Sequence, residues 1–280
     1  MSKPQNWTGE RLETFINNQH AIEHLHRYAI ALGLCSEKVV LDIACGEGYG
    51  SNLLSHNATK VYGVDIDGES INAAKKKYLK ANIEFLQGST SKIPLEENSV
   101  DVVVSFETLE HHDEHIQMML EVKRVLKSDG MFIISTPDKK YYSDEINYKN
   151  PFHLKELYFQ DFKNLLSENF KYCSFFYQNM FSGSLVIPEK NVDGVKFFGG
   201  NYASITEEPS FKSIYLMCIA SDKLFEDLSQ ISTFNGTFFQ QKLDAARDLE
   251  IKEHTVSWLK KSYSYKLGHA LLAPFRIFKK

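Results

Sequence analysis

The feature that most constrains this chain is a rhythm between residues 39 and 136, where short β-branched runs alternate with stretches of helical spacing. VVLDIA (39–44), KVYGVD (60–65), NIEFLQ (82–87), VDVVVSF (100–106) and GMFIIST (130–136) read as five successive strands. Strands separated by helices are the signature of βαβ units and a parallel sheet. One intervening helix is expected over 69–80, with Asp67 as its N-cap, and another over 115–126, turning Ile116, Met119, Leu120, Val122 and Leu126 towards the core. Beyond Thr136 the expected order is a Tyr- and Lys-rich loop, a helix near 157–166, a strand near 172–177, and a lid or hairpin over 179–212. A buried strand at 213–221 and a tail helix near 239–259 follow.

Length and charge narrow the possibilities further. The chain has 280 residues, 43% of them hydrophobic, enough for one large domain with extensions. A net charge of −4 gives no basic field of the kind that draws nucleic acid. Cys35, Cys45, Cys173 and Cys218 are widely spaced and lie mostly in apolar runs, which suits small buried hydrophobes in a reducing cytosol. The first residues lack a signal-peptide apolar region, and no window approaches a membrane span, so a cytoplasmic protein is expected.

The first strand ends in LDIACGEGYGS, where Gly46, Gly48 and Gly50 allow backbone amides and a helix N-terminus to approach a ligand closely. Gly50 falls one place early for the dinucleotide fingerprint, and Asp42 would repel a diphosphate. The same carboxylate could hold the ammonium group of an amino-acid-like ligand, directly or through water. At the end of the second strand, Asp65 stands where an acid can accept hydrogen bonds from both ribose hydroxyls of an adenosine.

VVLDIACGEGYGS, VYGVDID, IPLEENSVDVVVSFETLEH and EVKRVLKSDGMFIISTP resemble the successive motifs of class I S-adenosylmethionine-dependent methyltransferases, over about residues 20 to 136. The resemblance implies a Rossmann-like, doubly wound α/β fold: a seven-stranded sheet with one antiparallel strand, with helical N- and C-terminal extensions. It implies S-adenosylmethionine as cofactor. Carried over by position, Ala44, Cys45, Gly46 and Gly48 would face its methionine part, with Phe106 and Glu107 bordering the same end. Asp65 would hold the ribose, Ile66 would pack on the adenine, and Ser89 and Thr90 would lie at the adenine edge. Ala44 stands where the family usually has its first glycine, and Ser89 where it often has an Asp. The organisation expected is an N-terminal helical cap (1–36), a cofactor-binding domain (37–221) with an acceptor-side insertion near 137–212, and a helical, basic tail (222–280).

SFETLEHHDEHI (105–116) begins at the carboxyl end of the fourth strand, which faces the ligand crevice in such sheets. His111 is one candidate base for a hydroxyl proton; Asp113, Glu114 and His115 read as the start of a helix. His111 and His115 have i, i+4 metal-ligand spacing, but methyl transfer from a sulfonium needs no Lewis acid, and no metal site is expected. His153, in NPFHLKEL (150–157), is the first-choice base or acceptor ligand. The fourth strand lacks the (N/D)PP(Y/F) motif of nucleic-acid base methylation. Together with ERLE (10–13), EHLHRY (23–28) and SYSYKLGHALLAPFR (262–276), that segment resembles bacterial methyltransferases of surface-polysaccharide assembly, such as O-antigen. The implied reaction is O-methylation of a sugar hydroxyl. A quinone, lipid or amino-sugar acceptor and a non-catalytic scaffold are the alternatives. After Glu253 only basic charges occur (Lys260, Lys261, Lys266, Arg276, Lys279, Lys280), a pattern suited to peripheral contact with the inner face of an anionic membrane.

Overall fold

The computed structural model describes residues 14, 16, 18–181, 196–208, 213–226, 228 and 231–263. ERLE, much of the expected insertion (182–195 and 209–212) and the tail beyond Tyr263, including Lys266, Arg276, Lys279 and Lys280, lie outside them.

Seven strands form one sheet: β1 (Val39–Ile43), β2 (Lys60–Asp65), β3 (Ile83–Gln87), β4 (Val100–Phe106), β5 (Leu126–Pro137), β6 (Tyr172–Gln178) and, after a separate hairpin, β9 (Tyr215–Ser221). The hairpin pairs β7 (Phe197–Gly200) with β8 (Ile205–Glu208). The sheet order is β3-β2-β1-β4-β5-β9-β6. β3, β2, β1, β4 and β5 are mutually parallel, and β9 runs antiparallel between β5 and β6. The order reverses between β1 and β4, so their carboxyl ends open the crevice where sheets of this kind bind ligands.

Helices cover both faces because the strands carry apolar side chains on both. On one face, Leu41, Val103, Phe132 and Ile134 pack against Met118, Met119 and Val122 of α4 (His115–Val125) and Phe162 and Leu166 of α5 (Phe159–Asn169). On the other, Val40, Val61, Val102, Val104 and Ile219 meet Tyr28, Ala31 and Cys35 on or just after α1 (Gln19–Leu34), and Leu54 of α2 (Tyr49–Leu54). Alternate residues of one strand thus serve two cores. α3 (Gly68–Lys77) closes the edge with Ile71 and Ala74 on Phe85. Asp67 caps it, accepting from the Glu69 amide at 3.1 Å.

One expectation about α4 is overturned. Ile116 and Leu120 are 59% and 53% exposed, and the buried stripe is His115, Met118, Met119, Val122 and Val125. The rotation is set at the first residue: His115 points inward and its Nε2–H donates to the carbonyls of Leu109 and His112, both at 2.8 Å. Residues 116 and 120 then fall on the opposite side.

Residues 18, 19 and 235–263 belong to a second compact unit, chiefly α6 (Thr237–Lys261), a helix with no buried side chain. Among the described residues no helix is long and apolar enough to cross a membrane.

Candidate active site

The carboxyl end of β1 runs into a turn held by backbone geometry. Ala44, Gly46 and Gly48 have φ of 60°, 55° and 82°, in the left-handed region that costs a non-glycine residue roughly 1–2 kcal/mol. Ala44 bears that cost at an exposed position. The glycines differ in purpose. A Cβ on Gly46 would meet nothing within 4 Å, so its bareness leaves an open cradle; a Cβ on Gly48 would lie 2.6 Å from the Phe85 ring. Gly50 serves packing: a Cβ there would strike Tyr28 at 2.0 Å.

Asp65 ties this turn to β2. Its Oδ2 accepts from the Gly46 amide at 2.8 Å and its Oδ1 from the Asp67 amide at 2.9 Å. Asp42 sits beneath the turn, 1% exposed, with Oδ1 accepting from the Tyr28 hydroxyl (3.2 Å) and Oδ2 from Ser51 Oγ (2.7 Å). Burial, reinforced by the charge of Asp65, pushes its carboxyl up to about 7 against those two hydrogen bonds. Ile66 is 68% exposed beyond Asp65, presenting a bare apolar face. Ser89 Oγ pairs with Ser91 Oγ at 3.2 Å, Thr90 Oγ1 lies 3.4 Å from His112 Nε2, and Cys45 is buried. An open backbone cradle, an acid at the tip of β2 and an exposed aliphatic side chain fit an adenosyl cofactor with an amino-acid end.

At the end of β4, Phe106 packs edge-on against Tyr28 (centroids 5.0 Å), while Glu107 is a second strained residue, φ 51°. Glu107 Oε1 accepts from Ser135 Oγ at 2.6 Å and lies 3.3 Å from Nη1 of Arg27. Arg27 is 1% exposed, donates from Nε to Gln178 at 2.7 Å and lies 4.5 Å from the Tyr215 ring. Sequence reasoning missed this arrangement, because its members come from α1, the residue after β4, β5, β6 and β9, and no local pattern links them.

A 3-10 turn, Leu109–His111, follows. Loop 150–156 docks onto it: the amides of Leu154 and Lys155 donate to the Glu110 carbonyl at 2.8 and 3.0 Å. That brings His153 to His111, ring centroids 5.2 Å apart and nearly perpendicular. The bonding fixes both tautomers. Nδ1–H of His111 donates to the Phe152 carbonyl (3.1 Å), and Nδ1–H of His153 donates to Glu156 Oε1 (2.5 Å). Nε2 of His153 accepts from the Asn150 amide at 2.9 Å, since Asn150 Oδ1 already accepts from the Phe152 amide. Tyr142 stacks on His153, centroids 5.2 Å and 24° apart. Glu110 lies below, 1% exposed, with Oε2 accepting from Thr136 Oγ1 at 3.1 Å. Burial, and secondly the charge of Glu107, hold its carboxyl well above the usual range. Of the polar cluster 105–116, His111 therefore pairs with His153, while His115 turns into the core. Glu110 and Glu156 matter as much as the imidazoles they accompany; their only signal in the sequence was nearness to a candidate histidine.

Residues 41–134 match the family model described as a methyltransferase domain. The chain is 36% identical over 133 residues to a Mycolicibacterium smegmatis protein named a probable S-adenosylmethionine-dependent methyltransferase, covering 47% of this chain and 51% of that one. It is 33% identical over 162 residues to a Mycobacterium tuberculosis protein of the same description, covering 57% of this chain and 58% of the other. The chain thus spans little more than half the length of these curated relatives. In fold it is similar to a solved Bacillus halodurans protein that carries a provisional methyltransferase name, with TM-score 0.52 and 13% identity over 70% of this chain and 99% of that one. The strand order, the turn at the end of β1 and the acid at the end of β2 agree with these matches: residues 41–134 make up a methyltransferase domain, and S-adenosylmethionine is the cofactor that goes with it.

Proposed function

We propose that the protein O-methylates a hydroxyl, and that the acceptor is a sugar of a nucleotide sugar or growing glycan. The observation that carries this reading is the His153–Glu156 pair at 2.5 Å, facing His111 beyond the carboxyl end of β4. A neutral hydroxyl needs help losing its proton, and an imidazole oriented by a carboxylate is the usual protein device for it.

S-adenosylmethionine, when bound, supplies an electrophilic methyl group on a sulfonium. The Ala44–Gly48 turn would border its amino-acid end, Asp65 would accept from the ribose, and Ile66 would cover the adenine. Phe106 and Glu107 would bound the reacting end, and His153 and His111 would handle the acceptor's proton. Holding the two reactants in line contributes most of the acceleration. Tyr142, on His153, and Tyr148, whose ring centroid lies 6.0 Å from that of Tyr142, supply apolar faces of the kind a sugar ring stacks on.

The test incubates the full chain with methyl-labelled S-adenosylmethionine and separate pools of nucleotide sugars, lipid-linked glycans, amino sugars, quinols and fatty acids. Label in an ether on a sugar supports the proposal. Label confined to an ester, an amine or a quinol would refute the sugar assignment. Binding of the cofactor with no transfer to any pool would favour a scaffold.

A further inference from the structure

The proposed reaction leaves open how two imidazoles and a buried carboxylate divide one proton among them. Glu110, His111 and His153 each offer a ligand atom, and these atoms lie within 4.8 Å of one another. We propose that Glu110, His111 and His153 form a site for a divalent transition-metal cation that binds and activates the acceptor hydroxyl.

Four observations support it. First, both histidines have their Nδ1–H committed outward, one to a backbone carbonyl and one to a carboxylate. In each neutral ring that leaves Nε2 as the atom with a lone pair. Hydrogen-bonded orientation through the far nitrogen is how proteins fix metal-binding imidazoles. Second, Glu110 is anchored through Oε2 to Thr136, while Oε1 lies 3.9 Å from His111 Nε2. Third, Glu110 is almost completely buried, and a carboxylate that ionises there needs a positive partner close by. Fourth, the loop carrying His153 is docked by two hydrogen bonds to the backbone of Glu110 itself, so all the donors belong to one braced unit.

Two nitrogens and one oxygen favour zinc, manganese, iron or cobalt over magnesium or calcium, which prefer all-oxygen surroundings. Donors around one ion at about 2.1 Å stand roughly 3–3.5 Å apart. Entry of the ion therefore closes the three by small side-chain rotations and displaces the Asn150 amide from His153. Three protein ligands leave a position open for the acceptor oxygen, as in catalytic rather than structural metal sites. With the ion in place the imidazoles act through it. The coordinated O–H bond breaks and its proton passes to water. The oxygen lone pair forms the bond to the methyl carbon, and the electrons of the breaking C–S bond leave with the thioether.

The catalytic half of this inference rests on the proposed hydroxyl acceptor, whereas the site itself is tested without turnover. Full-length protein, stripped with a chelator and dialysed, is titrated with Co²⁺ by calorimetry and visible absorption. The expected result is one equivalent per chain with d–d bands of a nitrogen-containing site. His111→Ala and His153→Ala should each weaken binding by more than about tenfold. Glu156→Gln, which leaves all three donors in place, should weaken it by about 10- to 100-fold. S-adenosylhomocysteine binding, retained in each variant, shows that the fold persists. Absence of Co²⁺ binding at millimolar concentration, or binding that both histidine variants leave unchanged, would overturn the proposal. Cation binding at this site with no methylation of any alcohol would instead count against the hydroxyl reading and leave the site standing.

Discussion

The turn 44–48, which follows β1, and the loop 150–156, docked behind the neighbouring β4, are built on opposite principles. The first is local. A strand end, residues with left-handed backbone and an acid nineteen positions on make a cradle whose main contact, Asp65 to the Gly46 amide, spans two adjacent strands. The second is assembled at long range: His153 meets His111 across forty-two positions only because the backbone of Glu110 accepts the loop. A cofactor shared by many proteins can be held by backbone, which varies little with sequence. An acceptor peculiar to one protein must be met by side chains on a loop.

Asp65→Ala should break the first half most severely. It removes a charged acceptor from two backbone amides and, on the proposed reading, from the ribose, each bond worth about 1.5–3 kcal/mol. Calorimetry should show the affinity for S-adenosylmethionine falling by roughly 100-fold or more. His153→Ala should do the converse, lowering turnover by roughly 10²- to 10⁴-fold while cofactor affinity holds. If both variants lost cofactor binding equally, the two halves would not be separable.

Within the turn, Gly48→Ala should cost about 2–4 kcal/mol in chemical denaturation. The new Cβ meets Phe85 at 2.6 Å and the backbone is left-handed. Asp42→Asn sharpens the contrast through pH. A carboxyl raised to about 7 in the folded protein holds its proton more tightly there than in the unfolded chain. Wild-type stability should therefore fall as pH rises from about 4 to about 7. Between pH 5 and pH 8 the loss attributable to Asp42 is about 2–3 kcal/mol, and the Asn variant should not show it. A parallel pH profile for the two proteins would show that Asp42 is not the titrating group. The smallest effect belongs to Leu120→Ser on the outer face of α4, within about 0.5 kcal/mol by thermal unfolding.

What could be read in advance follows the same division. The strands of the parallel half came within a few residues of their observed bounds, because a buried strand must be written in apolar residues whatever it packs against. Asp67 as a cap and Asp65 at the tip of β2 were legible for a similar reason, since both act on backbone within a residue or two. The face of α4 was misjudged: periodicity gives a helix its stripe, but Ile116 and Leu120 are as apolar as the residues that won. Only the inward hydrogen bonds of His115 fix the rotation. Arg27 beside Glu107 could not have been read at all, since an ion pair between α1 and the end of β4 leaves no mark in either segment.

The sequence by itself determined a doubly wound α/β sheet, a glycine-containing turn at the end of β1 and an acid beside it, because these depend on periodicity, glycine and strand order. Tertiary structure alone decided which histidines meet. His111 faced two candidate partners of equal chemistry, one four residues away and one forty-two. The nearer was drawn into the core by two carbonyls, and the farther was delivered by a loop bonded to Glu110. Contacts between side chains distant in the chain depend on how elements pack, and packing is a property of the whole chain.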